Sequence, residues 1–205
     1  MVRGAFRPTL IPHPIMRVHG RVVLEMTKPQ VSKWLGGIGY GACVPGGADN
    51  LVSVARLMWD TGGVYSVSDV RSGYPRGQLH EDFVEVTKFA DSTGIGDVVK
   101  RAFLLHFARP VTLCDVGGKQ ITKMINGYAQ GGTLDAEMFQ LGMKQRLEKA
   151  AAAAKGERQD GQEDQPQAIP GSYIDDTGVA APTVKVWSEY FRKVADGFEP
   201  KDNQI

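Results

Sequence analysis

Between Met16 and Met26 the chain alternates. Met16, Val18, Val22, Leu24 and Met26 fall on one side, and Arg17, His19, Arg21 and Glu25 on the other. A period of two marks a half-buried strand. Beyond a glycine-rich stretch the period changes: Leu51, Val54, Ala55 and Met58 recur at three and four residues behind Asp49 or Asn50 as cap, and Gly62 and Gly63 close a helix. Two β-rich runs follow, Val64–Val70 and Phe83–Phe89, separated by the loop RSGYPRGQLHED. Asp97–Phe107 then reads as helix and RPVTLCDV as a short strand. Strand, helix, strand, strand, helix, strand is the split βαβ order. The expected fold class is therefore α+β, with a ferredoxin-like βαββαβ core followed by additional C-terminal helices and an extended polar arm.

From Gly118 onward the pattern predicts helix. Ile121, Met124, Ile125 and Tyr128 share one stripe, and Leu134, Met138, Leu141 and Leu147 form another behind Thr133, prolonged by the propensity of Ala150–Ala154. The segment KGERQDGQEDQPQAIPGSY has no period and reads as a polar arm. Pro182 then opens a last helix that places Val184, Trp187, Phe191 and Val194 on one face before Gly197. The expected organisation is an N-terminal arm over 1–15, an α+β core over 16–155, a polar arm over 156–181, and a C-terminal helix and tail over 182–205. An isolated helix of that length is marginal in water, so its apolar face needs cover, and a neighbouring subunit is the expected source.

Charge narrows the function classes. Lys and Arg total 24 against 23 Asp and Glu, so a net charge of +1 gives no global field toward nucleic acid or anionic lipid, and any such binding needs a local patch. Cys43 and Cys114 match no metal-binding spacing and read as buried thiols in a reducing compartment. Pro8, Pro12 and Pro14 interrupt any signal-peptide run, and no segment approaches the roughly 18 apolar residues of a membrane span. The expected location is the cytoplasm, or a particle assembled there, with no membrane partner.

The segment KWLGGIGYGACVPGGADN invites comparison with phosphate-binding loops. Gly41 to Ala48 keeps the Walker glycine spacing, yet Gly47 stands where the lysine belongs and Ala48 where the hydroxyl belongs. Pro45 removes an amide donor, and Asp49 puts a carboxylate at the helix end that an anion would use. The stretch reads as a tight connection, with Trp34 and Tyr40 as intersubunit anchors. His80, Glu81 and Asp82 are adjacent, and successive strand residues point apart rather than converge. His106 and Cys114 lie in apolar runs that favour a core role. No catalytic residue, no metal set and no cofactor is expected.

The outward side of the first strand is basic, through Arg17, His19 and Arg21, and Lys100 and Arg101 extend the patch. Phe83 and Phe89 on the neighbouring strand would supply the aromatic faces on which RNA bases stack. The ten residues RVHGRVVLEM resemble the opening strand of CRISPR-associated RAMP proteins, although the chain lacks their glycine-rich C-terminal loop. That resemblance implies a nucleic-acid-binding ferredoxin-like module. Two function classes stand side by side. The leading expectation is a non-catalytic structural or assembly subunit of a large oligomer, such as a phage virion component, self-associating through Trp34, Tyr40, Trp187, Phe191 and Val194. The alternative is the RAMP-like module acting through its basic strand face.

Overall fold

The computed structural model describes residues 9, 11–69, 74, 77–115, 117–154, 168–173 and 176–196. Its helices are α1 (Pro14–Leu35), α2 (Gly47–Asp60), α3 (Leu79–Thr93), α4 (Gly96–Phe107), α5 (Asp135–Ala153) and α6 (Val184–Asp196). Its strands are β1 (Val64–Asp69), β2 (Val111–Cys114), β3 (Gln120–Met124), β4 (Ile169–Tyr173) and β5 (Asp176–Ala181). The class is α+β. The order observed is not βαββαβ, because the run expected as the first strand is α1 and the run expected as the third is α3.

Both corrections have the same cause. In α1 the buried positions are Gly20, Val23, Thr27, Val31 and Leu35, three or four residues apart, whereas Val18, Val22 and Met26 are exposed. The alternation thus mixed residues of two helix faces, and the decisive period showed only beyond Met26. Pro29 lies within α1 on an exposed position, where the cost is one missing helix hydrogen bond. In α3 the β-prone composition is overridden by burial of Asp82, Val86, Phe89 and Ala90 at helical spacing. The opposite error occurs at Ile121–Tyr128. Residues Gln120–Met124 form a strand that turns back antiparallel on β2, leaving Ile121 and Ile125 exposed.

The chain divides into two compact units. Unit 1 comprises Met1–Trp34 and Arg71–Gly142, and unit 2 comprises Leu35–Val70 and Met143–Ile205. In unit 1, α3 packs on α4, and a chain of aromatic rings fills the interior. Tyr74 stacks on Phe139 at 4.8 Å, Tyr128 meets Phe107 edge-on at 5.0 Å, and Phe103 links Phe107 to Phe83 at 5.1 and 5.3 Å. Such contacts add about 0.5–1.5 kcal/mol each beyond area burial. One polar bond crosses this apolar interior: the Tyr128 hydroxyl donates to Asp82 Oδ2 at 3.0 Å, with both residues fully buried. Gly142 on α5 makes room for it, because a Cβ there would stand 2.3 Å from Asp82 Oδ1.

Unit 2 is built on a three-stranded antiparallel sheet in the order β1-β5-β4. Its central strand, DTGVAA, is buried from Thr177 to Ala181 and consists of small residues. A strand covered on both faces shows no alternation, and this one was expected to belong to the polar arm. Residues 169–173 and 176–181 are thus sheet, while 155–167 lie outside the described residues. The glycine-rich segment runs beside β4: Ser172 N–H donates to the Ile38 carbonyl and Tyr40 N–H to the Ser172 carbonyl, each at 2.7 Å. Gly47 is required where it is, since a Cβ would fall 1.8 Å from the Tyr40 carbonyl oxygen. Helix α6 packs on β5 within unit 2, burying Val186, Tyr190 and Val194. Of the face expected to need cover, Val194 is buried, Trp187 and Phe191 are half-buried and Val184 is exposed. The cysteines also differ from expectation, with Cys43 half-buried and Cys114 exposed.

Two stability outcomes follow. Gly142→Ala should cost about 1–3 kcal/mol by overpacking against Asp82, read as a lowered urea midpoint at unchanged slope. The buried Tyr190 hydroxyl has no hydrogen-bond partner among the described residues. Tyr190→Phe, which removes an unsatisfied polar atom, should therefore raise stability by up to about 1 kcal/mol in the same measurement.

Candidate functional site

The residues expected to form a basic strand face lie on a helix. Arg17 and Arg21 are one turn apart on α1 and exposed, and Arg21 pairs with Glu25 at 3.0 Å, as does Lys28. His19 leaves this group. Its Nδ1 lies 3.0 Å from His106 Nε2 on α4 and the two rings stack at 5.3 Å, so both histidines are half-buried. Burial lowers the His106 pKa, and the adjacent His19 lowers it further. Lys100 is joined to Asp91 and Arg101 to Asp97.

The expected stacking platform is absent from the surface. Phe83 is half-buried against Phe103, and Phe89 is fully buried with Trp34 edge-on at 5.8 Å. Among the expected interface anchors, Trp34 is half-buried by that contact, and Tyr40 is buried with its hydroxyl donating to the Gly37 carbonyl at 2.9 Å. Trp187 donates its indole N–H to Ser66 Oγ and meets Phe191 edge-on at 5.5 Å, and Val194 is buried. Of these five residues Tyr40 and Val194 are buried, and Trp34, Trp187 and Phe191 are half-buried. His80 is exposed, Glu81 half-buried and Asp82 buried, so the triplet diverges along the first turn of α3. Cys114 is exposed on β2, while His106 is engaged with His19.

Carboxylates that the sequence did not single out carry the strongest electrostatic signatures. Glu137 on α5 is buried and accepts from Thr27 Oγ1 at 2.7 Å through Oε1, while its Oε2 has no partner. Desolvation raises its pKa to about 7 against the lowering by Thr27 and Lys28. Asp135 accepts from Gly132 N–H at 2.6 Å, and burial raises its pKa to about 6. The Thr27 hydroxyl has one proton and three acceptors in reach, Glu137 Oε1 at 2.7 Å, the Val23 carbonyl at 2.9 Å and the Leu24 carbonyl at 3.2 Å.

A different pair of carboxylate residues stands at the end of the unit 2 sheet. The ladder of β1 and β5 sets Asp69 opposite Asp176, and β4 sets Tyr173 opposite Asp176 across a two-residue connection. Asp176 is exposed, and its sequence neighbour Asp175 lies outside the described residues. Opposed positions of an antiparallel pair hold their Cβ atoms about 4.5–5.5 Å apart. The signal was present in the sequence as Asp-Asp between two short β-compatible runs, IPGSY and DTGVAA, and was lost in the reading of a polar arm. Among the described residues no three His, Cys, Asp or Glu side chains form a metal-holding group, and no helix is long and apolar enough to cross a membrane.

No protein-family profile matches the chain, and no curated protein matches it. Two solved structures share the fold. The apo telomerase of Candida tropicalis, truncated from its C-terminal domain, superposes with a TM-score of 0.54 at 12% identity, covering 88% of this chain and 37% of its own. The telomerase of Candida albicans in complex with a TWJ fragment of telomeric RNA gives 0.52 at 9% identity, covering 90% and 32%. The chain thus spans about a third of the length of the telomerase chains it matches. The resemblance is one of fold.

Glu137 generates a pH prediction. A carboxyl held at about 7 when folded and near 4.5 when unfolded binds its proton more tightly in the native state. Stability is therefore greatest at low pH and falls as pH rises from about 4.5 to about 7, by roughly 2–3 kcal/mol, then levels off. Glu137→Gln should flatten that part of the profile and raise the denaturation midpoint at about pH 8 above wild type.

Proposed function

We propose that this chain is a nucleic-acid-binding module of an enzyme that performs metal-assisted phosphoryl transfer on nucleic-acid strands, nucleotide addition being the leading reaction. The observation that carries the reading is the opposition of Asp69 and Asp176 at the end of the β1–β5 ladder, in a fold shared with two telomerases. Asp175 adds a third carboxylate next to Asp176 in the chain. Hard oxygen donors on a rigid sheet suit Mg²⁺, which takes one or two carboxylates together with substrate phosphates. When bound, such ions stabilise the attacking and leaving oxygens of an in-line displacement. The chain's own part is to hold the carboxylates in register on strands whose backbone is fixed by the ladder, and to bind the strand that reacts. The RNA-binding alternative among the sequence expectations is favoured by the fold. The assembly reading draws no support from it.

The test uses the 205-residue chain with an RNA template, an annealed primer and nucleoside triphosphates in Mg²⁺ or Mn²⁺. Asp176→Asn should reduce primer extension at least about 100-fold, the range in which losing one strong electrostatic contact to a transition state falls. Its RNA affinity should stay within about twofold, because the carboxylate contributes nothing to phosphate attraction. Mn²⁺ titration followed by electron paramagnetic resonance should show weaker ion binding in the variant. Equal Mn²⁺ binding by the two proteins overturns the carboxylate assignment, and strand cleavage in place of extension shifts the reaction class to a nuclease.

A further inference from the structure

A two-stranded ribbon is marginal in water unless something covers it, and the β2–β3 hairpin has little cover of its own. From Arg109 to Ile125 the described residues are exposed, apart from half-buried Val111, Leu113 and Met124. Arg109 stands at the root, Lys119 in the turn, and Lys123 opposite Thr112 in the ladder. None of the three is in an ion pair among the described residues, whereas Arg21, Lys28, Lys88, Lys100 and Arg101 are all paired. The one acid of the segment, Asp115, is committed to the turn: its Oδ1 accepts from the Lys119 N–H at 2.9 Å. Three cations against one acid leave two net positive charges on a short ribbon. Ile121 and Ile125, 68% and 78% exposed, lie two residues to either side of Lys123.

This combination selects among partners. A protein or a second copy of the chain would be drawn by the isoleucines but would need acids opposite three unpaired cations. A nucleic-acid strand supplies one negative charge per nucleotide and apolar base and sugar surface between them. Lys119 and Lys123, four residues apart at about 3.3 Å each, are separated by roughly 13 Å, a few nucleotides of backbone. Resting on the reading of the chain as a nucleic-acid protein, we propose that the β2–β3 hairpin is a backbone-tracking contact for single-stranded RNA. Arg109, Lys119 and Lys123 meet phosphates, and Ile121 and Ile125 lie against bases or sugars.

Fluorescence anisotropy with a labelled single-stranded RNA of about 20 nucleotides tests it, over roughly 50–300 mM salt, where phosphate contacts are read from the salt slope. Neutralising the triad as R109Q/K119Q/K123Q should lower the slope of log K against log salt by about 2, near 0.7 for each lost contact. K123Q alone should lower it by about 0.7, which guards against an effect of misfolding in the triple variant. I121S/I125S should weaken binding with the slope intact, and R56Q/K185Q, which alters exposed cations of α2 and α6 in unit 2, should leave both unchanged. If wild type binds and the triple variant matches it in slope and affinity, the hairpin assignment is wrong and the nucleic-acid reading stands. If wild type shows no binding at the lowest salt, both fall.

Discussion

A carboxylate without access to water must find its partners inside the protein, and Asp82 fixes how unit 1 closes. Burying an uncompensated polar group costs several kcal/mol, so the Tyr128 hydroxyl that donates to it is an obligation of the fold. That obligation propagates. Tyr128 is held from behind by its own N–H, which donates to the Tyr74 carbonyl at 2.7 Å, and its ring is boxed by Phe107 and Phe139. Tyr74 in turn stacks on Phe139, and the absence of a side chain at Gly142 leaves the space that the carboxylate occupies. Aromatic packing and the Tyr128–Asp82 hydrogen bond therefore specify the same arrangement, and neither can shift without disturbing the other.

Much of the helical content was legible in the sequence. Asp97–Phe107 and the run from Asp49 to Gly62 fold within a residue or two of where their stripes placed them, because each buries one face at a 3.6-residue period. The β-run from Val64 also holds as β1. What failed did so for two physical reasons. In α1, and again at Ile121–Tyr128, a short window satisfied both the helical and the extended period, and only the partner element decided which was real. The β4–β5 hairpin failed differently. Its Gly, Ala, Thr and Pro residues carry almost no hydropathy contrast, and the strand is nonetheless buried because its neighbours lie on both sides. The candidate site went unread for the same reason, since its aspartates sit inside that low-contrast stretch. By contrast, Arg17 and Arg21 were expected on a strand and lie on helix α1.

The charges of the molecule are organised by segment rather than in bulk. A net charge of +1 conceals a ribbon whose three cations are in no ion pair among the described residues, and a ladder that sets Asp69 opposite Asp176 in register. Elsewhere the same residue types cancel locally at helix spacings, as in Arg21 with Glu25 or Lys88 with Glu85. Surface pairs of that kind contribute little to stability. Their effect is to remove competing fields, so that the positive ribbon keeps its own local potential.

The small residues of β5 have a consequence for how this protein can vary. Side chains alternate across a strand with a period of two, so a slip of one residue turns every position to the opposite face. Loops elsewhere in the chain tolerate added length at modest entropic cost. The ladder from Val64–Ala181 to Asp69–Asp176 has no such freedom: one inserted residue in either strand would separate the two aspartates and drive the Val179 side chain out of its packing. Descendants of this chain are therefore free to drift in composition at nearly every surface position, yet the count of residues through these two strands is as fixed as the spacing of teeth on a gear.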